Sequence, residues 1–334
     1  MRVVAAPDKL RGTATAPAAA RAMAAAAAAA STGSGVWECD QVPMADGGEG
    51  TLDAFGGPNR TTIVTGPRGE PVAAAWRLDG DLAVVEMARA SGLELAGGAA
   101  GNDPVAASTA GVGELILAAL DGGARRIVVG VGGSATTDGG LGAVRRLEPF
   151  DRLRGVDLVV ACDVATGFVD AATLFGPQKG ATPAQVVELR ARLVELAERY
   201  RADHGVHVLS LVGAGAAGGL AGGLAVAGAR LRSGFDLVAD EVGLDGRLAG
   251  ADLVITAEGH LDAQSFEGKV VGGVASLAAE AGVPVVAIAG EVFDDVEERI
   301  EAVSLVKRFG EDRARKDTIA CIEEVVADVI AARS

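Results

Sequence analysis

The chain has 334 residues, 49% of them hydrophobic, and a formal net charge of −15. That length supplies a sizeable core and is long for a single domain, while the acidic balance argues against nucleic acid or anionic membrane as partner. Three scattered cysteines (Cys39, Cys162, Cys321) without a CxxC, and only three histidines, predict reduced thiols in a cytoplasmic protein and no zinc site of the usual type.

Residues 3–6 read as a short strand ended by Pro7. The alanine-rich run 18–30, with Pro17 suited to a first turn, predicts a helix rather than a signal peptide, and no segment is apolar enough to span a membrane. Residues 36–42 predict a strand leading into the loop MADGGEGT, 44–51, with a helix from Thr51. Runs 61–65 and 72–77 flank GPRGEP as a hairpin, and 81–87 is a further strand. Helical spacing over 109–120 stops at Asp121-Gly-Gly. Residues 126–131 predict a buried strand running into GVGGSATTDGG, 130–140, and 156–164 repeats the strand theme. The clearest helix is 183–200, with Leu189, Leu193 and Leu196 near one face. The Gly- and Ala-rich stretch 213–228 must pack closely against something. Strands at 251–257 and 283–289 enclose a helix near 272–281, and 302–307 and a last helix, 319–332, complete the set. Such alternation predicts an α/β fold with parallel sheets covered on both faces, its ligand loops at the carboxyl ends of strands.

Five glycine-rich loops, at 44–51, 130–140, 176–180, 213–219 and 258–269, suggest a polyanionic ligand gripped from several sides. Glycines admit close backbone approach, and the carboxylates of Asp46 and Glu49 can hold Mg²⁺ or accept a proton. Backbone N–H groups around Gly132 and Gly133, with the hydroxyls of Ser134 and Thr136, form a candidate phosphate cradle with Asp138 on the metal; the alternative is a plain strand-to-helix turn. Lys179, pinned by Pro177 and two glycines, is a candidate phosphate-neutralising cation. Glu258, Asp262 and Lys269 suit a base, a second carboxylate and a phosphate contact, with solvated loop charges as the alternative. Lys9 or Arg11 could clamp a substrate carboxylate. Two loose dinucleotide fingerprints, at Gly130–Ala135 and Gly213–Gly218, leave a dinucleotide enzyme open; no Walker A motif occurs.

The ordered motifs APDKLRGT (6–13), VPMADGGEGT (42–51), VTGPRGEPV (64–72), EMARASGLEL (86–95), GVGGSATTDGG, ACDV (161–164), FGPQKGA (175–181), GAGAAGG and ITAEGHLDAQSFEGK are those of a known family. Over residues 1 to about 295 the chain resembles the bacterial glycerate kinases, which transfer the ATP γ-phosphoryl group to D-glycerate, usually at the 2-hydroxyl. The resemblance implies two three-layer α/β/α domains, one flavodoxin-like and one inserted in the other. It implies one domain from 1–60 plus 245–334, an inserted domain at 61–244, and an active site in the cleft between them. ATP and Mg²⁺, with a small hydroxy-acid substrate and a homodimer as assembly, complete the expectation. Asp262, Glu258, Asp46 and Asp163 become the catalytic candidates, with Gly132, Gly133, Ser134, Thr136, Lys179 and Lys269 toward the nucleotide. Lys9, Arg11, Ser108 and Thr109 fall to the substrate, and Glu49 and Asp138 to the metal. Departures at 108–112, 165–174 and 257–260, where His260 stands for the family's arginine, support a second expectation: a member that binds nucleotide or metabolite as a sensor or scaffold.

Overall fold

The computed structural model describes residues 1–30, 36–293 and 296–333. Its strands are β1 (Arg2–Ala5), β2 (Glu38–Gln41), β3 (Arg60–Thr65), β4 (Pro71–Asp79), β5 (Leu82–Glu86) and β6 (Arg126–Gly130). They continue with β7 (Asp157–Ala161), β8 (Arg230–Arg232), β9 (Leu253–Leu261), β10 (Val285–Val292) and β11 (Glu301–Ser304). The chain divides into two units, the first made of Met1–Asp46, Asp53–Phe55 and Phe235–Ser334, the second of Gly47–Leu52 and Gly56–Gly234.

In the first unit five parallel strands run in the order β11-β10-β9-β1-β2. Counted along the chain within this unit, that is the flavodoxin-like order, whose topological switch point lies between β1 and β9. Period-two alternation sends Val3, Ala5, Leu253, Ile255, Val286 and Ile288 to one face, against the helices Ala16–Ala30 and Thr318–Ala331. Val4 and Val254 go to the other face, with Phe235, Val238, Val270 and Val274 from the helices Gly234–Val242 and Val270–Ala281. Both faces are covered, which is why these strands read as continuous apolar runs.

The second unit has six strands in sequential order, β3-β4-β5-β6-β7-β8. The β5–β6, β6–β7 and β7–β8 pairs are parallel, as expected, while the β3–β4 pair is the antiparallel hairpin around GPRGEP and β4 also runs antiparallel to β5. The connections are the reason: five residues separate β3 from β4 and two separate β4 from β5, far short of a crossover. Ala83, Val85, Ile127, Val129 and Val160 pack on the helices Ala110–Asp121 and Ala216–Val226 through Val112, Leu115, Ile116, Leu220 and Leu224. A further layer, the helix Pro183–His204, buries Leu189, Leu193, Leu196 and Tyr200 against Val144, Phe168 and Ala171. Its capping box is complete: the Thr182 hydroxyl accepts from Gln185 N while the Gln185 side chain accepts from Thr182 N.

Two elements depart from their sequence signals. Strand β8 is three residues with two arginines and no apolar run; it is held at the sheet edge by pairing with β7 and by Arg230 on Asp157, at 2.6 Å. Strand β9 runs four residues beyond 257, because β10 pairs with it through Ala289 opposite Glu258 and Glu291 opposite His260. Glu258 therefore lies on a strand, not in a loop.

Candidate active site

In the first unit, β1 and β9 carry the chemistry at their carboxyl ends. Ala6 N donates to Ile255 O and Asp8 N to Ala257 O, both at 2.8 Å, which extends the pairing past Pro7. Met44 N donates to Pro7 O at 2.9 Å and leads the third segment toward Asp46. Asp8, Asp46, Glu258, Asp262 and Lys269 thus share the mouth of the switch point. Glu258 is only 7% exposed, and its Oε1 has no hydrogen-bond partner. Burial pushes its carboxyl up to about 7; Ser265 and Lys269 pull it down, and Asp8 and Asp262 push it further up. Burial likewise raises Asp8 to about 6, against the pull of Lys9 and with a push from Asp46. Lys9 approaches Asp8 Oδ1 through both its backbone N, at 2.7 Å, and its Nζ, at 3.7 Å.

Asp262 is partly committed elsewhere. Its Oδ1 accepts from Ser265 N while its own N donates to Ser265 Oγ, each at 3.1 Å, capping the turn Ala263–Phe266. Arg11 is exposed, and so is His260, 3.7 Å from Glu291.

In the second unit, the loop after β6 is folded by its neighbours. Gly47 O accepts from Val131 N at 2.9 Å, and a Cβ on Gly132 would stand 2.7 Å from Gly48 Cα, so only glycine fits there. The buried Glu86 accepts from Gly50 N and Leu52 N, both at 2.9 Å, and thereby ties the DGGEG turn to the end of β5. Leu93 N and Ala135 N bond to Gly133 O and Ser91 O on either side of the loop. The N–H groups of Gly132, Gly133 and Ser134 donate to nothing among the described residues, leaving three consecutive donors at a strand's carboxyl end. Glu49 is exposed in the adjoining turn, and Asp163 accepts from Gly234 N at 2.7 Å.

Other candidates of this unit form a buried framework. Asp138 Oδ2 accepts from Thr109 N, Thr109 Oγ1 and Gly142 N at 2.9, 2.8 and 3.1 Å, and Oδ1 accepts from Gly140 N at 3.0 Å. Its carboxylate is taken up in holding the loop, a poor start for a metal ligand, and burial raises its pKa despite those bonds. The Thr109 hydroxyl also accepts from Ala143 N and the residue is fully buried, and Ser108 Oγ accepts from Ala110 N. Lys179 is 2% exposed, and its Nζ donates to Thr136 O at 2.6 Å. Burial lowers its pKa to about 7, with Asp138 pulling it back up. A lysine shifted this way binds fewer protons folded than unfolded, so it makes stability rise between about pH 7 and its ordinary 10.5. Urea unfolding of Lys179→Met is expected to lack that rise; parallel pH profiles in variant and parent would refute the assignment.

The Gly213–Gly219 segment is a packing device. Ala217, Gly218 and Gly219 take φ of 52°, 69° and 91°, and a Cβ on Gly218 would fall 1.9 Å from Thr136 O. This segment follows the turn Val208–Ser210 rather than a strand, and the helix after Gly130 begins only at Leu141. Neither glycine pattern has the strand–turn–helix context of a dinucleotide site.

Three polar residues that the motifs do not mark as candidates also shape these sites: Asp8, Glu86 and Asn102, whose Nδ2 donates to Ala135 O and Lys179 O at 2.9 Å each. Asp8 had a signal in its position just after the first strand; Glu86 and Asn102 act through partners 34 and 77 residues away, which no local pattern reveals.

The model of the glycerate kinase family matches residues 3–149 and 148–332, beyond the point near 295 where the motifs thin out. The chain is similar to the glycerate 2-kinase of Escherichia coli, with 43% identity across 76% of this chain and 77% of that protein. It is 40% identical to the glycerate kinase of Halalkalibacterium halodurans, across 86% and 87% of the two chains. Its fold is similar to the crystal structure of a protein assigned as glycerate kinase 2 of Salmonella typhimurium LT2, with a TM-score of 0.81, 34% identity and coverage of 100% and 99%.

Proposed function

This chain belongs to the glycerate kinase family, and on that premise we propose that it transfers the ATP γ-phosphoryl group to a hydroxyl of D-glycerate, giving 2-phosphoglycerate. The observation that carries this reading is the run of three unengaged N–H groups at Gly132, Gly133 and Ser134, a ready cradle for phosphate oxygens. Phosphoryl transfer asks mainly for positioning and charge neutralisation, with a base at the attacking hydroxyl. Glu258 is assigned as that base, since a carboxyl near 7 accepts a proton efficiently at neutral pH, and Lys269 offsets the charge beside it. Asp46 is the further candidate acid of the first unit and Asp163 that of the second, while Lys9 and Arg11 are the candidates for the acid group of glycerate. Lys179, Thr136, Thr109 and Asp138 act behind these groups, by holding the loop.

Among the described residues no group of three or more His, Cys, Asp or Glu could hold a metal ion by itself. That fits Mg²⁺, which takes one or two carboxylates together with nucleotide phosphates rather than a protein cage. The exposed Glu49, next to the Gly132 cradle, is the carboxylate available for it. When bound, Mg²⁺ would neutralise phosphate charge. Among the described residues no helix is long and apolar enough to cross a membrane, and the three free thiols suit the cytoplasm.

Coupled ADP release with purified protein and D-glycerate tests the proposal, with phosphorus NMR of the product. Turnover dependent on Mg²⁺ and abolished by EDTA is expected, with the 2-phospho product. No ADP release with glycerate or related hydroxy acids would end the proposal.

A further inference from the structure

The second unit holds a cavity of about 310 Å³ beneath the helix Pro183–His204, in the size range of small-molecule sites. Leu141, Leu189, Leu193 and Leu196 make its floor apolar. Three arginines that are otherwise exposed, Arg145, Arg192 and Arg199, also line it. The guanidinium of Arg192 is engaged by Glu188 at 2.5 Å and by Val105 O at 3.0 Å. Arg145 and Arg199 have no ion-pair or hydrogen-bond partner among the described residues. Opposing them are Glu195 and the buried Asp138, whose carboxylate is already held by four hydrogen bonds. The Thr137 hydroxyl, on a residue 2% exposed that also lines the cavity, has no partner either. None of Gly132, Gly133, Ser134, Glu49 or Asp163 takes part in the lining, so the cavity is separate from the phosphate cradle.

We propose that this cavity is a second ligand site, which takes a small organic carboxylate: its acid group on Arg145 and Arg199, its hydrocarbon body on the four leucines. Arginine's planar fork matches a carboxylate in a bidentate pair, and two such forks over an apolar floor select a molecule with one charged end and one greasy end. A compact, fully hydrated anion would leave the leucines uncovered; a neutral hydrocarbon would leave the arginines without a counter-charge.

Calorimetric titration with 4-phenylbutyrate, octanoate and benzoate, each against its neutral amide, tests the site on the full-length protein. At least one carboxylate is expected to bind saturably, and its amide at least about tenfold more weakly. Arg199→Gln alone, and Arg145→Ala with Arg199→Ala, should each weaken binding, the pair by about tenfold or more, with unchanged thermal unfolding and glycerate turnover. A saturating non-hydrolysable ATP analogue and D-glycerate should leave the affinity within about twofold. Equal binding of the amide, undiminished binding by the variants, competition from either substrate, or no saturable binding of all three acids would each overturn the proposal. Because binding is read directly, a failure of glycerate turnover would leave this result standing.

Discussion

Glu258→Gln is expected to lower kcat/KM for glycerate by about 10²–10⁴-fold, the usual contribution of a general base, while making the unliganded protein more stable at pH 8. The two effects come from one cause. The carboxyl sits 7% exposed at the end of β9, where burial raises its pKa from 4.5 to about 7. Between those values the folded chain holds a proton that the unfolded chain has released. Stability therefore falls as pH rises through the window, by about 3 kcal/mol in all. Glutamine keeps the shape and removes the charge, so the variant should gain most of that energy at pH 8 and nothing at pH 4.5. Chemical unfolding at the two pH values, without nucleotide, reads the difference. The parent's kcat/KM should also fall below about pH 7 with an acid limb that the variant lacks. A variant within tenfold of the parent rate would clear Glu258 of the proton transfer and move the search to Asp46 and Asp163.

Asp138→Ala should cost about 3–5 kcal/mol of stability, in EDTA as much as in Mg²⁺, because the lost partner is the loop itself. Removing the carboxylate strands the N–H groups of Thr109, Gly140 and Gly142 and the Thr109 hydroxyl in a buried setting. Three of the four bonds converge on Oδ2, so asparagine with its carbonyl there keeps most of them; Asp138→Asn should lose only about 1–2 kcal/mol. A metal-ligand role makes the opposite forecast: equal loss of activity in both variants and no stability deficit in EDTA. Thermal unfolding of the two variants in EDTA separates the cases, and an alanine variant as stable as the parent would refute the framework role.

Glycine placement and apolar runs made most elements legible. Residues 126–131, 183–200 and 283–289 overlap β6, the Pro183–His204 helix and β10, since each carries a complete local pattern. The edge strand β8 and the last four residues of β9 carry none; pairing partners alone make them strands. Candidate residues divide the same way. Glu258 and Asp46 stand out in sequence as acids among glycines, and the fold brings them to one switch point with Asp8. Lys179, Thr109 and Asp138 carry the same polar lettering, yet their bonds turn inward on Thr136 O, Ala143 N and the loop amides. A residue's letter states what it can bond, and only its surroundings state what it does bond.

By itself the amino-acid order determined the α/β class, the family and the glycine loops, because periodicity and backbone permissiveness are local properties. Only the tertiary structure decided which acids are pushed toward neutral pH and which are held as struts. Desolvation and hydrogen bonding depend on neighbours such as Thr109, 29 residues before Asp138, and Asp8, just past the end of β1, which pairs with the strand that carries Glu258.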